Sequence, residues 1–141
     1  MPAKYPYKKM AWYPHMGEKD AAIWSRFLDA NPMAFDYCWY DLPVGSGEPV
    51  PLETQQNLKE DWLILTKYKC DVIGFKDGKP TIIEVKPRAG LGAVGQVITY
   101  DLLYQEYVDG KARPNLIILT DALRSDMDWL CQEFGIEIIV V

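Results

Sequence analysis

The segment 70–86, CDVIGFKDGKPTIIEVK, constrains the fold more than any other stretch of the chain. Two short apolar runs flank Asp-Gly, a hairpin signal, because the tight turns that match strand twist need positive φ and these residues tolerate it. The expected unit is an antiparallel pair of strands. Within it, Asp71, Glu84 and Lys86 are charged groups set among apolar neighbours. A period of two puts Glu84 and Lys86 on one face, and the hairpin brings Asp71 near Glu84. Charges inside apolar strands cost free energy unless they are compensated, and a divalent cation bound by oxygen ligands compensates two carboxylates together.

The residues downstream decide how that hairpin is extended. After Pro87-Arg88-Ala89-Gly90, helical spacing predicts a helix from about 91 to 107. One face carries Leu91, Val94, Ile98 and Leu102, and another Gln96, Tyr100, Leu103 and Tyr107. Gly92 and Gly95 are expected to let this helix approach the sheet closely. Asp109-Gly110 ends it, and NLIILT (115–120) reads as a buried strand. Ser125 is placed to cap a further helix whose Met127, Leu130 and Phe134 face inward, Gly135 stops it, and IEIIVV closes the chain as a strand. Alternating strands and helices require crossovers and therefore parallel pairing, whereas the hairpin is antiparallel. The fold class predicted is α/β, a mixed central β-sheet flanked by helices.

Upstream, residues 1–16 are rich in Pro, Tyr and Lys without periodicity and read as an irregular arm that packs its aromatics on the domain. Ala21, Ile23, Trp24, Phe27 and Leu28 recur at helical spacing over 17–30, ended by Asn31-Pro32. Residues 34–42 suggest a strand, and 43–51, full of Gly and Pro, a loop. Residues 52–66 fit a short helix or loop feeding a strand near 62–75, so 43–61 forms a loop-rich insertion. With 141 residues and 49% apolar composition, the whole chain, 1–141, is expected to be a single domain with its own core.

No apolar run is long enough to span a membrane and no secretory signal is evident, so a cytoplasmic protein is expected. Cys38, Cys70 and Cys131 are odd in number, far apart and without histidines at zinc-ligand spacing, and are read as reduced, half-buried thiols. The net charge of -5 opposes a broad nucleic-acid surface. Its distribution is uneven, however. Residues 1–16 carry Lys4, Lys8 and Lys9 and no acid, and residues 67–88 carry Lys67, Lys69, Lys76, Lys79, Lys86 and Arg88 against Asp71, Asp77 and Glu84. Lys67, Lys69 and Arg88 are the candidate nucleic-acid contacts.

Asp71-x12-Glu84-Val85-Lys86 on adjacent strands, with Glu18 on the helix before and Gln96 on the helix after, resembles the PD-(D/E)XK nuclease superfamily. Gln96-Val-Ile-Thr-Tyr100 is similar to the Gln-x-x-x-Tyr element of the branch that contains the nuclease domains of recombination helicase-nucleases. Cys70 stands where the superfamily has the proline of its name. The resemblance implies a restriction-endonuclease-like core and a Mg²⁺- or Mn²⁺-dependent enzyme that hydrolyses DNA phosphodiester bonds in repair or recombination. It implies Asp71, Glu84 and the Val85 carbonyl as metal ligands, Glu18 as a further acid and His15 as a ligand in some members. Lys86 would orient or deprotonate the attacking water, with Gln96 and Tyr100 supporting it.

The chemistry suits these residue types, since a divalent ion can activate water, neutralise the phosphoryl oxygens and stabilise the leaving oxygen. A bare domain of this size has little surface for reading sequence, so recognition of DNA structure or ends is expected, by a homodimer or beside a helicase or recombination partner. Two other readings start from the same residues. A catalytically inactive nuclease-fold module that binds nucleic acid or a protein fits the acidic net charge, and an unrelated α/β interaction protein fits the aromatic content.

Overall fold

The computed structural model describes residues 2–141. Six strands form one sheet in sequence order: β1 (Tyr5–Pro6), β2 (Tyr37–Val44), β3 (Tyr68–Lys76), β4 (Lys79–Val85), β5 (Asn115–Thr120) and β6 (Ile136–Val140). Pairing is antiparallel from β1 to β4 and parallel from β4 to β6. The connections dictate the change. Asp77-Gly78, both at positive φ, close the β3–β4 hairpin, whereas α3 (Leu91–Tyr107) and α4 (Met127–Glu133) carry the chain back over the sheet.

The sheet is a central layer with helices on both faces, as its mixed pairing predicts. On one face lies α1 (Glu18–Ala30), whose Ile23, Trp24, Phe27 and Leu28 pack on Cys38, Tyr40, Val72, Ile83, Val85 and Leu119. Trp24 is fully buried, stacks on Phe27 and donates its indole N–H to the Tyr40 hydroxyl at 2.9 Å. Such a side chain satisfies its one polar group while burying a large apolar surface. The opposite face is covered by Tyr100 and Tyr104 of α3 over Cys70, Ile73 and Ile82, and by Ala93, Val97, Met127 and Cys131 over Ile118 and Ile136. Gly74 in β3 is required by the packing on the α1 face, because a Cβ there would lie 2.7 Å from the Phe35 ring.

Several local expectations are corrected. The arm contributes the short strand β1, while Tyr5, Tyr7 and Tyr13 pack on the α1 layer as expected. β2 runs to Val44, so Pro43-Val44 belong to a strand; β1 pairs only with Tyr37 and Cys38, leaving no neighbour on that side to need the proline's missing N–H. Within 52–66 the helical option prevails as α2 (Lys59–Thr66), preceded by a 3₁₀ turn, and β3 begins only at Tyr68. All three cysteines are free and fully rather than half buried. In α3 the buried stripe is Ala93, Val94, Val97, Tyr100 and Tyr104, and Leu91 and Leu102 face outward. Gly92 and Gly95 do not mediate close packing, since an added Cβ at either meets nothing within 4 Å. Asp126, at φ 70, precedes α4 in place of Ser125, and Phe134 is 55% exposed because this short helix turns Met127 and Cys131 inward instead. No helix among the described residues is long and apolar enough to cross a membrane.

Candidate functional site

The site is built where β2, β3 and β4 run side by side. The β3–β4 ladder pairs Val72 with Ile83, and continuing it by one residue sets Asp71 opposite Glu84. Asp71 Oδ2 accepts the Val85 backbone N–H at 3.0 Å, which fixes one carboxylate oxygen against the neighbouring strand. Glu84 is only 5% exposed, and its Oε2 has no hydrogen-bond partner. Burial, and after it the neighbouring Asp71, pushes the Glu84 carboxyl well above the usual carboxylate range. Asp71 is pushed up as well, chiefly by burial, and Asp20 and Asp41 add to the shift. Two adjacent acids, Glu84 buried and Asp71 half-buried, with an orphaned oxygen and no full counter-charge form an environment that favours a proton or a cation over two bare carboxylates.

Lys86 follows directly on β4, exposed, its backbone N–H bonded to the Leu119 carbonyl at 2.9 Å. It makes no ion pair within 4 Å among the described residues, although its charge is felt by Glu84 and Asp20. Gln96 and Tyr100 meet on one face of α3, with the amide donating to the phenol oxygen at 3.4 Å. Tyr100 is pushed up to about 12, mainly by burial and then by the nearby Glu84, so the phenol stays protonated and able to donate at neutral pH. A cleft of about 360 Å³ lined by Tyr68, Gly92, Gly95, Gln96, Thr99 and Tyr100 runs alongside. Space left open by the two glycines widens it.

The remaining candidates are dispersed. Glu18 opens α1 and is exposed; the acid of that helix whose charge reaches Lys86, Glu84 and Asp71 is Asp20. A helical wheel carries this signal, because Asp20 stands on the stripe of Ile23, Trp24 and Phe27, whereas Glu18 does not. His15 Nε2 lies 3.4 Å from Asp41 Oδ2, and Asp41 in turn neighbours Asp71. Asp41 was not legible, since its place depends on the β2–β3 register and on a φ of 51 inside a strand. Lys69 donates to the Ile64 carbonyl at 2.7 Å, tying its ammonium to the end of α2, and Lys67 is half-buried. Arg88 is exposed at φ 45, held by its N–H on Asp121 Oδ1 and by Arg124 Nε on its carbonyl.

Whether these residues suit a divalent ion can be judged from the donors. Among the described residues no three His, Cys, Asp or Glu side chains converge closely enough to hold an ion by themselves. Asp71 and Glu84 remain, with the Val85 carbonyl beside them. One or two carboxylates with water and substrate phosphate completing the shell is the usual way of holding Mg²⁺, which gives up its water reluctantly. Together with the unsatisfied Glu84 oxygen, this donor set fits a hard divalent cation.

No family model matches the sequence, and no curated protein does. Among solved structures the chain is similar to the crystal structure of a repair endonuclease from Pyrococcus abyssi, with 21% identity and a TM-score of 0.49 over 93% of this chain and 49% of that one. It spans about half the length of that neighbour's chain.

Proposed function

We propose that this chain is a divalent-metal-dependent deoxyribonuclease that hydrolyses DNA phosphodiester bonds, recognising DNA structure or ends rather than base sequence. The observation that carries the proposal is the Asp71–Glu84 pair, in which Glu84 is buried with an unpartnered oxygen, with Lys86 two residues beyond Glu84 and just past the end of β4. Asp71 and Glu84, with the Val85 carbonyl, would hold Mg²⁺ or Mn²⁺. Such an ion, when bound, supplies Lewis-acid stabilisation of phosphoryl charge and acidifies water.

The chain's own groups do the rest. Lys86 would hold the attacking water and stabilise the negative charge that builds on it as it loses its proton, a task suited to an exposed ammonium beside two acids. Gln96, braced by the Tyr100 hydroxyl, orients that water or the phosphate. The cleft over Gly92, Gly95 and Gln96 would receive the DNA backbone beside Tyr100, and the exposed Arg88 would contact a phosphate near Lys86. A net charge of -5 is poor for holding DNA unaided, so the ion's charge and a DNA-binding partner or second copy are part of the proposal.

The decisive experiment incubates the protein with single-stranded, double-stranded and branched DNA in Mn²⁺. Wild-type cleavage that disappears in Glu84→Ala and in Lys86→Ala supports the reading; cleavage that persists in either variant sinks it. DNA binding without cleavage and without a Mn²⁺ site dependent on Asp71 favours the inactive module instead.

A further inference from the structure

Positive φ at a residue other than glycine is uncommon and is retained where surrounding structure imposes it. Five such residues occur among those described: His15, Asp41, Asp77, Arg88 and Asp126. Asp77 serves the β3–β4 turn and Asp126 the entry to α4. The other three flank the candidate site, and two of them, His15 and Asp41, meet at 3.4 Å through Nε2 and Oδ2.

Asp41 occupies an unusual place. The β2–β3 ladder pairs Tyr40 with Val72 and Leu42 with Cys70, and the flanking pairs leave Asp41 level with Asp71 at the one position where the ladder is interrupted. Since Asp71 is across from Glu84, three carboxylates form one row over β2, β3 and β4. The pleat also changes phase here. Cys38 and Tyr40 face α1, whereas Leu42 and Val44 face the α3 layer. Like charges directly opposite on neighbouring strands are destabilising, and an asparagine or glycine would serve the left-handed backbone at least as well. The backbone therefore does not explain the carboxylate. An independent feature points to a ligand in the row: Glu84 Oε2, on a side chain 5% exposed, has no partner.

We propose that Asp41, braced by His15, is a cation-positioning residue that orients the water of a divalent ion held at Asp71 and Glu84. This rests on the metal-dependent reading above. Asp41 acts through water because the described side chains do not converge tightly enough for three of them to share an ion directly. Partners of this kind, one step removed from the ion, typically contribute about 10–100-fold to metal affinity.

The test titrates the protein without nucleic acid with Mn²⁺ by calorimetry, for wild type, Asp41→Asn and Asp41→Gly, and records the metal-free melting temperature of each. Both replacements tolerate φ 51, so the fold does not depend on the outcome. The expected result is Mn²⁺ affinity lowered about 10–100-fold in both variants, with metal-free melting temperatures at or above wild type. Unchanged Mn²⁺ affinity in either variant, or a loss accompanied by lower metal-free melting temperatures, overturns the role of Asp41 and leaves the nuclease reading standing. Failure of the wild-type protein to bind Mn²⁺ removes both.

Discussion

Replacing Glu84 by glutamine separates stability from function at one position. The side chain is 5% exposed, abuts Asp71 and leaves Oε2 unpaired, so at neutral pH the folded metal-free protein must hold there a proton that the unfolded chain releases. Glutamine keeps the shape, is neutral without taking up a proton and supplies an N–H₂ that can donate to Asp71. Leaving a buried polar group unsatisfied costs about 1–3 kcal/mol, so Glu84→Gln should stabilise the metal-free protein by that amount near pH 8. For a chain of this size that corresponds to a rise of roughly 3–10 °C in the unfolding midpoint.

The pH dependence gives the sign. Folding raises the Glu84 and Asp71 carboxyls above their ordinary values, 4.5 and 3.8. Their contribution to stability is therefore fully present below the ordinary carboxylate range and is lost as pH climbs through the raised values. Wild type should thus weaken with rising pH, relative to the variant, and the advantage of Glu84→Gln should shrink from about pH 8 to about pH 4. Thermal melting by circular dichroism in chelator, at both pH values, measures this. A variant less stable than wild type at high pH, or one whose advantage does not change with pH, refutes the argument that Glu84 is an uncompensated buried acid.

Lys86→Ala should leave Mn²⁺ affinity within about threefold, because Lys86 stands beside the donors rather than among them, yet lower the DNA cleavage rate about 10²–10⁴-fold, read by calorimetry and single-turnover kinetics. Gly74→Ala should lose about 1–3 kcal/mol in urea denaturation, since its Cβ would meet the Phe35 ring at 2.7 Å within well-packed structure. Gly92→Ala and Gly95→Ala should each gain up to about 1 kcal/mol by the same measurement, because both lie in α3, add no contact within 4 Å and shed the entropic cost of glycine in a helix.

The sequence by itself determined the sheet and the centre of the candidate site. Asp77-Gly78 requires a hairpin, and a hairpin followed by alternating helices and strands leaves little but a mixed sheet covered on both faces. Fixing that hairpin also fixes Asp71 against Glu84, and a spacing of four fixes Gln96 against Tyr100. These are local consequences of strand and helix periods, which is why they can be read from the letters. Local pattern was insufficient where competing signals overlapped. Residues 62–66 are an apolar run that would suit a strand yet form the end of α2, and Leu91 and Leu102 match a helical face that is not the buried one. Only the tertiary structure decided which acids join Asp71 and Glu84. Asp20 arrives because α1 lays the stripe it shares with Ile23 and Trp24 over the sheet, and Asp41 because the β2–β3 register and one left-handed residue place it in the row. Register and helix placement follow from the packing of residues distant in sequence, so no window along the chain contains them.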